Sequence, residues 1–209
     1  MPSLVSVNVG PQQDVEWFGR TVRTAIWKTP VEGRVAVRGV NLDGDDQADR
    51  RVHGGPDKAV YAYAIEDYAW WVDRGDDVGP GTFGENLTTE GHDLSGAVLG
   101  ERWRVGSVVL EVAQPREPCF KLGLRMGAAA FKDRFAAADR PGAYLRIIEA
   151  GDVGAGDAIE VIDRPAHGLT VLDLLHTTAN PTPEALRTML AVPSVPDGWR
   201  AWAERHLDP

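Results

Sequence analysis

Arg102-Trp103-Arg104-Val105-Gly106-Ser107-Val108-Val109-Leu110-Glu111-Val112 decides the fold class. Two runs rich in β-branched and aromatic residues flank Gly-Ser, a Gly-X pair suited to a two-residue hairpin turn. Working outward, similar short runs recur between glycines and prolines. Ser3 to Val9 alternates apolar and polar residues and reads as a strand. Gly33 to Val40 and Lys58 to Ala64 read the same way, the latter carrying Tyr61 and Tyr63. Gly142 to Glu149 and Asp157 to Ile162 are expected to pair with each other across a glycine-rich turn. Many short strands at regular spacing predict a mainly β protein built as a closed or nearly closed barrel.

A few helices interrupt the strands. Glu66 to Val72 starts with acidic residues, as the helix dipole prefers. Met126 to Ala138 places Phe131 and Phe135 four apart on one face. At Arg164-Pro165 the character of the chain changes. Thr170 to His176, a helix opened by Thr182-Pro183-Glu184 with Thr as N-cap, and a third from Asp197 to near Leu207 follow. The expected division is a barrel domain over 1–164 and a small three-helix module over 165–209. Three short helices bury little alone, so the module is expected to pack on the barrel or on a partner.

The chain has 209 residues, 43% hydrophobic and 25% charged, with a formal net charge of −9. This is ample material for a core. The acidic balance argues against a broad nucleic-acid surface but not against one local cationic pocket. No apolar run approaches the ~20 residues of a membrane span. The start, Met1 to Gly10, lacks the cationic head and apolar stretch of a secretory signal, so a cytoplasmic, reduced location is expected.

Cys119 is the sole cysteine. It can form no internal disulfide, four-cysteine zinc site or iron–sulfur cluster. A packed thiol, a nucleophile or a single thiolate ligand remain open. Arg116 and Lys121 favour thiolate, and Pro115 and Pro118 hold its segment extended. Three further segments carry polar chemistry. Gly54-Gly55, set among Arg50, Arg51, His53 and Lys58, suits a phosphate, or is a solvated loop. Gly79 to Thr88 has a backbone shaped for a pocket wall, where Glu85 and Asn86 offer polar edges, or is a turn between strands. Lys28 adds a cation or is a surface lysine.

Taken in order, Lys28-Thr29-Pro30-Val31, Gly44 to Tyr63, Gly81 to Thr88 and Leu110 to Leu122 resemble the MOSC domain family, the molybdenum cofactor sulfurase C-terminal domain. Asp46, inserted between Gly44-Asp45 and Gln47, departs from the family pattern. The tail resembles the three-helix segment of the YiiM-like branch. The resemblance implies a β-barrel and a pterin-dithiolene molybdenum cofactor (molybdopterin) whose metal Cys119 binds. It further implies that Lys28, Arg51, His53, Gly54, Gly55, Lys58 and Arg116 hold the cofactor's phosphate and pterin, with Asn86 near the pterin or substrate edge. Related members reduce small N-hydroxylated compounds, so the implied activity converts R–NHOH to R–NH2, hydroxylaminopurines being one example. Cys119 would act with a proton donor among Asp45, Asp49, His53 and Glu85. The alternative is a sulfur or molybdenum-cofactor carrier without turnover of its own; a non-catalytic binding domain is a third reading.

The chain has no Rossmann fingerprint or paired-cysteine redox motif. A reductase of this kind would therefore draw electrons from an external flavoprotein or haem carrier, docked on the helical tail or elsewhere. The expected state is a monomer or homodimer, with no nucleic-acid polymer or membrane as partner.

Overall fold

A computed structural model describes residues 1–48 and 54–207. The hairpin forms as read: β9 (Arg102–Val105) pairs antiparallel with β10 (Val108–Pro115), with Val108 opposite Val105. Gly106 supplies the turn's positive φ, 56°. All eight residues of β10 are buried, which makes it a central strand. On its other side it pairs with β11 (Ala143–Glu149).

Outward from this centre the sheet runs to β7 (Val60–Ala64), β8 (Leu87–Glu90), β1 (Ser3–Val9) and the two-residue β4 (Thr29–Pro30) in one direction. In the other it ends at β13 (Ile159–Asp163), paired with β9. β7 and β8 are parallel, the crossover carried by α1 (Ile65–Val72) and the loop after it. The two ends then meet. Ser3 bridges Ala158, Leu4 N donates to Asp157 O at 2.9 Å, and Gly156 N donates to Leu4 O at 2.8 Å. These bonds close a seven-strand ring of mostly antiparallel pairs, the barrel expected from strand spacing. Closure removes the exposed edges that such a sheet would otherwise present.

Two expectations need correction. The strands at 142–149 and 157–162 do not pair with each other. Both flanks of β11 are taken, by β10 and β7, and β13 pairs with β9. The residues between them form β12 (Gly151–Val153), which joins β5 (Val35–Arg38) and β6 (Asn41–Leu42) in a small separate sheet. The helix expected over 126–138 is shorter than read: α2 (Phe120–Arg125) ends before that range and α3 (Phe131–Ala136) lies within it. Gly127 at φ 64° ends the first, because a left-handed residue cannot continue a helix. A hairpin of β2 (Gln13–Trp17) and β3 (Arg20–Thr24) turns at Phe18-Gly19 and, among the described residues, forms a sheet of its own.

The tail forms α4 (Val171–Ala179), α5 (Pro183–Ala191) and α6 (Asp197–Leu207). Thr170 and Asp173 make a reciprocal capping box at α4, and the Thr182 hydroxyl accepts from Ala185 N at α5. Leu174, Leu186 and Met189 are buried in the same apolar cluster as Leu87, Leu110 and Leu145 of the barrel. The helices therefore complete the barrel's core. A second cluster, mainly aromatic, lies outside the ring: Tyr63, Tyr68, Trp71, Phe83, Phe131 and Phe135 are all buried. Among the described residues, no helix is long and apolar enough to cross a membrane.

Candidate active site

The aromatic cluster is the floor on which the site is built. Phe83 is wholly buried, stacked on Tyr68 with ring centroids 4.9 Å apart. Its carbonyl accepts a hydrogen bond from the Arg116 guanidinium, which also lies 4.9 Å from the centroid of the Tyr61 ring. Tyr61 faces Tyr144 across the β7–β11 pair at 5.0 Å. Burial opposes the Arg116 charge, yet its place beside Tyr61, Tyr144 and Cys119 holds its pKa above the ordinary value. A charged guanidinium over a phenol face is a favourable cation–π contact. Three residues on, Cys119 has extended backbone, partly exposed, and directly precedes α2.

A pocket opens above this floor. Lys28, Lys58, Asn86, Arg116 and Cys119 all line it. Lys28 is buried and its ammonium pairs with Asp45 at 2.5 Å. Burial lowers the Lys28 pKa and Asp45 partly restores it. The Asn86 amide nitrogen donates to the same carboxylate at 2.9 Å, while its oxygen accepts from Tyr61 N at 3.1 Å. Asp45 thus ties a cation and an amide of the pocket wall to one buried carboxylate. Gly10 N donates to its other oxygen at 3.1 Å.

Gly54 and Gly55 do not line this pocket. They line an adjoining groove, and Lys58 borders both. Asp49, Arg51 and His53 lie outside the described residues. Glu85 is wholly buried beneath the pocket and does not line it. Its carboxylate accepts from Gly81 N at 2.5 Å, the Tyr68 hydroxyl at 2.8 Å and the Thr88 hydroxyl at 2.9 Å. Burial raises its pKa, and these donors pull it back. Sealed in this way, Glu85 fixes the Gly79–Thr88 loop rather than meeting a ligand.

Lys121, noted from the sequence as a cation near Cys119, also lines the pocket, as do Tyr61 and Tyr144, which were not singled out as site residues. For Tyr61 a signal existed, since alternation places it on one face of β7 with Tyr63. For Tyr144 none did, because its neighbour comes from a distant strand.

The MOSC domain model matches residues 49–160, more than half of the chain. The chain belongs to the MOSC domain family. YflK of Bacillus subtilis is 33% identical over 204 residues, covering 95% of this chain and 91% of that protein. A Gibberella moniliformis protein named "Reductase" is 31% identical over 162 residues, 75% of this chain but 29% of that much longer protein. The crystal structure of YiiM from Geobacillus stearothermophilus superposes with a TM-score of 0.82 at 26% identity, covering 99% of this chain and 100% of YiiM. Membership associates this MOSC protein with the molybdenum cofactor.

The donor set fits such a group. One thiol suits a soft metal already held by sulfur. Four cationic side chains line the pocket with it, Lys28, Lys58, Arg116 and Lys121, and suit a phosphate. Among the described residues no cluster of three or more His, Cys, Asp or Glu could hold a metal ion.

Proposed function

We propose that this MOSC protein binds the molybdenum cofactor through Cys119 and reduces small N-hydroxylated compounds to amines, using electrons from an external flavoprotein or haem carrier. The observation that carries the reading is the meeting of Cys119 with Lys28, Lys58 and Arg116 in one pocket. The name of the fungal relative supports a reductive activity. The net reaction is R–NHOH + 2H⁺ + 2e⁻ → R–NH2 + H2O. When bound, the cofactor supplies the two-electron redox chemistry.

The chain's own residues do the rest. Cys119 offers the thiolate ligand, and Arg116, fixed charged on its aromatic floor, favours that thiolate over the thiol. Lys28 and Lys58 neutralise the cofactor's anionic groups. Asp45 holds the Lys28 ammonium at the pocket wall, where it keeps a proton in reach of a leaving hydroxyl. Asn86, clamped by Tyr61 and Asp45, presents a fixed polar edge. The barrel over 1–164 and the helices over 165–209 act together, the latter walling the groove beside Lys58.

The test compares wild type with Cys119→Ser, both expressed in a cofactor-replete host. Molybdenum content and reduction of an N-hydroxylated purine by a chemical reductant are measured. Wild type is expected to hold molybdenum and turn over, and the variant to do neither. A loaded wild type that turns over nothing would favour the carrier reading.

A further inference from the structure

Beside the Cys119 pocket, and sharing Lys58 with it, runs a groove of about 690 Å³. That volume lies within the ~300–1,000 Å³ usual for small-molecule sites. One wall is the turn from Gly55 to Lys58, on the barrel. The other is the start of α6, carrying Trp199 and Trp202. Glu117, two residues before Cys119, lines its base.

The two walls are tied at fixed separation. Buried Gln114 accepts from the Trp199 indole N–H at 2.6 Å and donates to the Asp57 carbonyl at 3.0 Å. Arg146 reinforces the tie, pairing with the Asp57 carboxylate at 2.6 Å and donating to Ser194 O at 2.9 Å. This is a preformed cleft between barrel and tail, so a ligand entering it need not order either wall. Trp202 is half-buried; His206 stacks on it at 4.2 Å and Trp199 lies 6.5 Å away, edge-on.

We infer that this groove receives the planar N-heterocyclic ring of the substrate, stacked on the Trp202 indole with its edge toward Trp199, while the N-hydroxyl group is directed toward Lys58 and the Cys119 pocket. The inference rests on the reductase reading above and adds a ring site to it. Its chemistry follows from the walls. Indoles stack on heterocycles of any sequence of ring atoms. The Glu117 carboxylate accepts from ring or exocyclic N–H, as acidic side chains do for base edges. The groove also assigns a use to the tail helices, whose side chains do not line the Cys119 pocket.

Adenine, which lacks the hydroxyl, is the probe, added to the full chain purified without cofactor. In ¹H–¹⁵N spectra it is expected to shift the indole N–H signals of Trp199 and Trp202 and to leave those of Trp70, Trp71 and Trp103 in place. Stacking losses of this kind weaken binding about tenfold or more, so Trp202→Leu should bind adenine about tenfold more weakly. Trp202→Phe, which keeps an aromatic face, should retain most of the affinity. In the loaded enzyme Trp202→Leu should raise KM for an N-hydroxylated purine by a similar factor, with kcat falling far less. Adenine that shifts neither indole, or a Trp202→Leu protein with wild-type adenine affinity and KM, overturns the ring site. Absence of turnover in loaded wild type would instead count against the reductase reading and leave the adenine result standing.

Discussion

Glu85→Ala separates a structural carboxylate from a catalytic one. The substitution leaves three buried donors without their acceptor: Gly81 N–H, the Tyr68 hydroxyl and the Thr88 hydroxyl. Each orphaned buried group costs about 1–3 kcal/mol. The two hydroxyls can turn, so about 1–1.5 kcal/mol each applies to them and about 1–2 kcal/mol to the fixed Gly81 amide, about 3–5 kcal/mol in total. Domains of this kind are stable by only ~5–15 kcal/mol. For 150–250 residues, 1 kcal/mol moves Tm by about 2–4 °C, which gives a fall of roughly 6–20 °C. Calorimetry on wild type and variant measures it, with turnover assayed well below the lower Tm. The expected result is a large drop in Tm with kcat/KM close to wild type in the folded fraction. A variant that melts within 1–2 °C of wild type, as ~0.5 kcal/mol would give, yet loses turnover would show Glu85 meeting the substrate, and the burial argument would fail.

Two further outcomes follow from the same geometry. Gly81 has φ 83°, and a Cβ there would stand 2.4 Å from the Lys28 carbonyl oxygen; Gly81→Ala should cost about 2–4 kcal/mol from left-handed backbone and overpacking. A urea midpoint shift worth less than ~0.5 kcal/mol would contradict that account. His92, buried against the Trp103 ring and faced by Glu101, Arg164 and Asp93, has its pKa lowered from 6.5, chiefly by burial. The unfolded chain then takes up a proton before the folded one, so stability is kept above pH 6.5 and lost as pH falls below it, by at most about 1.4 kcal/mol per pH unit. Subtracting the curve of His92→Phe isolates this slope; parallel curves between pH 7 and 5 would refute it.

What the sequence revealed depended on whether a signal was local. The β9–β10 hairpin, β1 and the capped tail helices are carried by alternation, a Gly-X turn and Thr caps, all within a few residues. The β2–β3 hairpin lacks a buried apolar face, its residues other than Thr24 being exposed or half-buried, so its apolar pattern is weak. The partner of β13 is a matter of non-local pairing. The break between α2 and α3 depends on a positive φ at Gly127 that composition does not reveal.

The site divides the same way. Lys28, Lys58, Asn86, Arg116 and Cys119 stand out because loops dense in cations, amides and glycine are unusual in any chain, and all five reach one pocket. Tyr144 enters only through its pairing with Tyr61. Glu85 reads as a pocket acid because acidic residues are seldom fully buried; the three donors that seal it come from Gly81, Tyr68 and Thr88.

The most direct measurement is molybdenum per chain by elemental analysis, after expression in a cofactor-replete host and gentle purification, for wild type and Cys119→Ser side by side. If Cys119 is the protein's ligand to the metal, wild type carries close to one molybdenum per chain, and the variant loses most of it while melting at the wild-type temperature. Equal molybdenum in the two proteins would contradict the role of Cys119, and none in either would contradict the cofactor itself.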